Sequence, residues 1–177
     1  LGNAIEIVTI AEHAGPISSS AGPKTIADYA FNNAPELDLI LLPGGIGTIP
    51  ELNNEAMLDF LKSRGPRSQI TMSVCTGSAL LAKAGLLDGL AATSNKMFFD
   101  LARSQNDQVQ WQESARWVDA GRYVTSSGVS AGTDMALAVI QRLFGAEAAQ
   151  NVVNYSEYQW HQEADIDPFE SLLNQGQ

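Results

Sequence analysis

A single cysteine, Cys75, offers the most direct chemistry in this sequence. It stands in Val74-Cys75-Thr76-Gly77-Ser78-Ala79, after the strand-like run Ile70 to Val74 and before a helical pattern. A sharp turn there would expose the sulfur ahead of helix amides, whose dipole favours a thiolate and therefore a nucleophile. Free cysteine is also a common core residue, and on residue grounds a small buried Cys75 fits the position equally well.

Two further loops could complete a site. Leu41-Leu42-Pro43-Gly44-Gly45-Ile46-Gly47 follows a strand-like run, and Gly44 and Gly45 could aim backbone amides at developing negative charge as an oxyanion hole. The loop lacks the lysine and spacing of a phosphate-binding P-loop, and a Gly-Gly turn is also ordinary strand-to-helix geometry. In Thr125-Ser126-Ser127-Gly128-Val129-Ser130-Ala131-Gly132-Thr133-Asp134, Ser130 could line a pocket. A capping reading also fits: Ser130 or Thr133 at the N-cap and Asp134 in the first turn would stabilise a helix starting near Thr133. His13 and His161 lack metal-ligand spacing with other His, Cys or paired carboxylates, so no metal site is expected. Trp111, Trp117 and Trp160 read as core, hairpin cover or subunit interface.

These loops need elements to hold them. Ile5 to Ile10, Leu37 to Leu42 and Ile70 to Val74 read as strands. Helical spacing covers Pro50 to Ser63, Gly77 to Ala84, Lys96 to Ser104, Thr133 to Phe144 and Ala146 to about His161. Ala115 to Val118 and Arg122 to Thr125 read as a hairpin turning at Asp119-Ala120-Gly121. Alternating strands and helices predict an α/β fold with a mostly parallel sheet and an antiparallel edge pair, the three loops meeting beyond the carboxyl ends of the strands. The closing Glu163 to Gln177 reads as an irregular tail docked by its apolar residues.

Composition bounds the rest. The 177 residues, 45% of them hydrophobic and 17% charged, suit one domain over 1–177. Ten basic against 20 acidic residues give a net charge of -10, which repels nucleic acid. The apolar runs are too short to cross a bilayer, and a lone cysteine forms no internal disulfide, so a soluble cytoplasmic protein is expected.

The elbow Val74-Cys75-Thr76-Gly77-Ser78-Ala79-Leu80-Leu81-Ala82, the segment Ala84-Gly85-Leu86-Leu87-Asp88-Gly89, and the loops Leu42-Pro43-Gly44-Gly45 and Thr125 to Gly132 together resemble the ThiJ/PfpI superfamily, in its isonitrile hydratase branch. The resemblance implies a flavodoxin-like three-layer sandwich, a homodimer, no dissociable cofactor, and addition of water to a small-molecule isonitrile to give an N-substituted formamide. It assigns Cys75 as nucleophile and Thr76 as a residue that orients water, with the Gly45 and Ile46 amides bounding the pocket. It also expects an acidic residue after a first strand that has no counterpart here, because the chain starts at what looks like the second strand; Glu12 follows the wrong strand to replace it. Many relatives carry a histidine in a Thr-Thr-His stretch where this chain has Thr93-Ser94-Asn95-Lys96. Asn95 can orient a polar group but cannot take a proton near pH 7, which argues against Cys-His protease chemistry. A glyoxalase-like or deglycase-like activity on reactive carbonyls, and a redox or ligand sensor without turnover, are the competing readings. The acidic ending disfavours the architecture of relatives fused to a DNA-binding helix-turn-helix.

Overall fold

The computed structural model describes residues 5–19, 22–173 and 175. In chain order the elements are β1 (Ile10–Ala11), β2 (Gly15–Ser18), β3 (Lys24–Ala27), β4 (Tyr29–Ala30), β5 (Leu39–Leu42), α1 (Thr48–Glu51), α2 (Glu55–Arg64), β6 (Ile70–Val74), α3 (Gly77–Lys83), β7 (Ala91–Ala92), α4 (Phe99–Arg103), β8 (Gln110–Trp111), β9 (Trp117–Ala120), β10 (Tyr123–Ser126), α5 (Val129–Phe144) and α6 (Ala146–Ser156). The main sheet runs β5-β6-β10-β9. β5 and β10 both lie parallel to β6, with Leu39 opposite Ile70 and Tyr123 opposite Thr71, and β9 closes the edge antiparallel to β10.

Side-chain alternation divides the sheet into two apolar faces. Ile70, Met72, Trp117 and Val124 pack with Met135 and Val139 of α5. Leu42 and Tyr123 join Leu61, Leu80, Leu81 and Leu87 on the other side, where α2 and α3 lie. Helices therefore cover both faces, which is why β6 has no polar-out alternation: Ile70 to Ser73 are all buried. Each fully buried aliphatic such as Ile70 contributes about 1.5–3 kcal/mol.

The expected strand Ile5 to Ile10 is largely absent. Only Ile10–Ala11 pairs, with Tyr29–Ala30. Ile7 remains 85% exposed, because apolar alternation makes a strand only where another strand lies alongside. The following segment is tied instead through Thr9, whose hydroxyl donates to Asp28 Oδ2 at 2.7 Å. β2 and β3 pair as an antiparallel ribbon that no buried stripe marks in the sequence, since Ile17 and Ile26 both stay exposed.

Other boundaries differ as well: the expected helix Pro50 to Ser63 is split into α1 and α2, because Asn54 caps a new helix start at Glu55, and α4 starts at Phe99 rather than Lys96. α5 begins at Val129, four residues before the expected start, with Gly128 at its N-cap. Its first turn is built from small residues because a Cβ on Gly132 would sit 2.8 Å from Val74 Cγ1; the helix packs directly on the end of β6. α6 ends at Ser156, well short of His161, with Glu157 in the left-handed conformation. The first hairpin strand is Trp117–Ala120 rather than Ala115 to Val118, because Ala115 and Arg116 face the tail described below.

Candidate active site

Cys75 has φ 58°, a left-handed conformation that side chains other than glycine seldom adopt. Such strain costs about 1–3 kcal/mol and persists only where the surroundings impose it. Here they do. The Cys75 amide donates to Ser126 O at 3.2 Å, and its carbonyl accepts from the hydroxyls of Ser78 and Ser94, both at 3.2 Å. The cysteine is half-buried and unpaired in any disulfide, at the turn from β6 into α3.

The glycine loop is pressed against this elbow. A Cβ on Gly44 would stand 2.6 Å from both Thr76 N and Val74 O, so only glycine allows the approach. Gly77 makes the reciprocal fit, with Leu42 O 2.7 Å from where its Cβ would be. Gly45 has φ +126°, and its amide donates to Thr76 Oγ1 at 2.9 Å. That amide is therefore committed to the elbow. Thr76 is buried, and its hydroxyl also meets Thr48 Oγ1 at 2.9 Å and Gly45 O at 3.3 Å. A hydroxyl has one proton and two lone pairs, so these contacts fill it: Thr76 fastens loop to elbow. Ile46 is 73% exposed at the loop tip.

Asn95 and Ser130 belong to the two loops whose Ser94 and Ser126 hold the Cys75 main chain. Asn95 follows Ser94, and its Oδ1 accepts from Phe98 N at 3.3 Å, bracing the turn ahead of α4. Ser130 Oγ accepts from Arg116 Nη2 at 3.3 Å. Both border a cavity of about 440 Å³, together with Met97, Thr133, Phe169 and Leu172. The three loops after β5, β6 and β10 thus converge on the elbow. His13 is exposed beside Glu12, and Glu12 itself accepts from Asn54 Nδ2 at 2.8 Å. His161 is engaged through its main-chain amide, which donates to Asp134.

Beneath the cavity lies a buried charge network that sequence reasoning missed. Asp134 is not a first-turn residue stabilising a helix end; it lies in the second turn of α5, fully buried. Its Oδ2 accepts from Arg116 Nε at 2.7 Å and lies 2.6 Å from Nη2, while Oδ1 accepts from Tyr158 OH at 3.1 Å and His161 N at 3.0 Å. Asp167 approaches Arg116 Nη1 at 3.5 Å and Lys96 Nζ at 3.7 Å, and accepts from Ser127 Oγ. Lys96 also donates to Ala115 O at 2.6 Å and Thr93 Oγ1 at 3.0 Å. Burial pushes the Lys96 ammonium below the ordinary lysine value, and Asp167 opposes that shift. Burial, then the neighbouring Asp134 carboxylate, pushes the Tyr158 phenol upward.

This network docks the tail. Residues 158–169 are held by ions and by main-chain bonds, Arg116 N to Ala164 O at 2.7 Å and Asp167 N to Ser114 O at 2.8 Å, rather than by apolar contact alone. One signal was present in the sequence: helical periodicity puts Asp134 on the same stripe as Ala131 and Ala138, where a carboxylate needs a partner. Nothing local marks Asp167 or Arg116.

The DJ-1/PfpI family model matches residues 2–142. Isonitrile hydratase from Pseudomonas putida is 36% identical over 156 residues, 88% of this chain and 65% of that protein. The HTH-type transcriptional regulator GbdR of Pseudomonas aeruginosa is 32% identical over 129 residues, 73% of this chain but only 35% of the regulator. The crystal structure of a ThiJ/PfpI family protein from Pseudomonas syringae superposes with a TM-score of 0.78 at 31% identity, covering 88% of this chain and 64% of that one. The chain thus spans just under two thirds of the hydratase and of the solved relative, and about a third of the regulator. Among the described residues, no helix is long and apolar enough to cross a membrane. The strained cysteine elbow, the glycine loop packed on it, and the sheet that carries both are those of a member of the DJ-1/PfpI family, to which this chain belongs.

Proposed function

We propose that the chain carries a cysteine-dependent hydratase activity that converts an isonitrile into an N-substituted formamide. The observation that carries this reading is Cys75 held at φ 58° against Gly44, in a chain 36% identical to an isonitrile hydratase. In this reading the Cys75 thiolate adds to the terminal carbon of R–N≡C, forming a C–S bond, and that carbon takes up one proton to give the thioimidate R–N=CH–S. Water then adds to the same carbon. The C–S bond breaks, the sulfur leaves as thiolate with its electron pair, the nitrogen keeps one water proton to give R–NH–CHO, and the other water proton returns to solvent, balancing the one taken up by the carbon. Thr76 acts as a positioning residue through its bonds to Gly45 and Thr48, which set the loop against the sulfur. A thiol nucleophile suits a reducing compartment, and the reaction partner is a small neutral molecule.

Formamide production from a simple alkyl isonitrile tests the proposal, using the chain, the chain with any natural residues that precede Leu1, and the Cys75→Ala variant of each. Turnover that disappears with Cys75→Ala supports it. Full turnover in Cys75→Ala, or none in either cysteine-intact form, rejects it.

A further inference from the structure

The carbonyl of Cys75 lies off the line of α3. A helix continued back through the elbow would bring Ala79 N to the oxygen four residues earlier, which is Cys75 O. That amide donates instead to Thr76 O at 3.0 Å, because the left-handed φ of Cys75 turns its carbonyl away from the helix. The hydroxyls of Ser78 and Ser94, both fully buried, serve the carbonyl in place of the helix amide. The peptide from Cys75 to Thr76 is planar, so fixing its oxygen fixes its other end as well. That end is the Thr76 amide, 2.6 Å from where a Cβ on Gly44 would stand.

The two hydroxyls reach this carbonyl from different parts of the fold. Ser78 belongs to α3 and moves with the elbow, whereas Ser94 comes from the loop after β7. That loop is held at Thr93, whose amide donates to Thr125 Oγ1 at 2.8 Å. The Thr93 hydroxyl donates to Gln112 O at 2.9 Å and accepts from Lys96 Nζ at 3.0 Å. Lys96 in turn faces Asp167 of the docked tail at 3.7 Å. Ser94 therefore ties the Cys75 peptide, through its neighbour Thr93, to β10 and to the buried charges. Neither serine hydroxyl takes part in the bond-making steps above.

We infer that Ser94 and Ser78 are positioning residues: by holding the Cys75 carbonyl they set where the sulfur and the Thr76 amide stand when the substrate reacts. The inference rests on the hydratase reading for the reaction that slows, but the backbone geometry it describes can be read without turnover. The coupling constant between the amide proton and Hα of Cys75, measured by NMR on the isotope-labelled chain, reports φ; kinetics with a simple alkyl isonitrile report kcat and KM separately. Ser94→Ala should shift the coupling and lower kcat about tenfold or more while KM stays within about twofold, since a misplacement of about 1 Å at a reacting centre costs up to about 100-fold. Ser94→Thr keeps the hydroxyl and should restore most of both. Ser68→Ala removes another fully buried serine hydroxyl, one bonded to Gly65 O and Thr71 Oγ1, and should leave the coupling and kcat at their parent values. Where Ser94→Ala does not fold, Ser78→Ala carries the same prediction on the same carbonyl, and failure of both to fold makes the hydroxyls purely structural and overturns the inference. Unchanged coupling and kcat in the two alanine variants, or a kcat loss that Ser68→Ala matches, also overturns it. A coupling shifted by Ser94→Ala in a chain whose parent turns over no isonitrile upholds the positioning and rejects the hydratase reading. Turnover in the parent that both alanine variants keep at full rate upholds the hydratase and rejects the positioning.

Discussion

Replacing Asp134 by Asn separates the charge of the buried network from its shape. The carboxylate is fully buried and Arg116 is 3% exposed, so their attraction acts with little solvent screening. Asn fills the same volume but leaves Arg116 with Asp167 at 3.5 Å as its remaining ionic partner. Its amide also cannot serve every present donor: one end accepts, whereas Arg116 approaches one oxygen and Tyr158 and His161 the other. Breaking a buried ion pair by removing one partner costs about 3–5 kcal/mol. Because a neutral amide is itself easier to bury than a carboxylate, the lower end, about 3 kcal/mol, is expected. With a urea m-value of about 2–3 kcal/mol/M, the unfolding midpoint should fall by about 1–1.5 M. Tryptophan fluorescence reports it, since Trp160 Nε1 donates to Asp134 O at 3.1 Å. Asp119→Asn is the control. Its pair with Arg142, at 3.0 Å, has both side chains 40% exposed, and such pairs contribute less than about 1 kcal/mol. Similar small losses in the two variants would refute the claim that burial makes the Asp134 pair the stronger one.

Gly44→Ala should lower the thermal midpoint by roughly 4–8 °C, as expected for about 2 kcal/mol of overpacking against the Thr76 and Val74 backbone. Gly47→Ala, where a Cβ meets open space, should not lower it. Thr76→Val strands the Gly45 amide and the Thr48 hydroxyl and should cost about 1–3 kcal/mol in urea unfolding, with Thr76→Ser restoring most of it. Tyr158 has its folded-state value raised, so above about pH 10 the unfolded chain loses the phenolic proton first and stability falls as pH rises through that window. Urea midpoints from pH 9 to 11 should show a shallower alkaline decline in Tyr158→Phe than in the parent chain.

What could be read in advance follows from how local each determinant is. The elbow was legible because a strand run, Cys75, Gly77 and a helical pattern adjoin in sequence, and the convergence of the three loops follows from parallel strands. The need for glycine at Gly44 was not, because it depends on the Thr76 amide arriving from another loop. The start of α5 was misjudged because Ser130, Ala131 and Gly132 have loop-like composition, whereas packing on Val74 demands small residues within a helix. Ile5 to Ile10 failed for the opposite reason: its pattern is local, but strand formation is not. The charge network joins Lys96, Arg116, Asp134 and Asp167, whose proximity no short window can reveal.

The seating of the tail also bears on how the folded molecule avoids sticking to others. β9 is the edge of the main sheet, and the main chain at its start, from Ser114 to Trp117, is covered by Ala164 and Asp167 through hydrogen bonds. An uncovered strand edge is a template for pairing with another chain. Any change that releases residues 158–169 therefore exposes unpaired amides and carbonyls on that edge and leaves Trp117 and Val118 beside them. Weakening the buried ions would then show itself as self-association at concentrations where the parent chain stays dispersed, even with the Cys75 elbow intact.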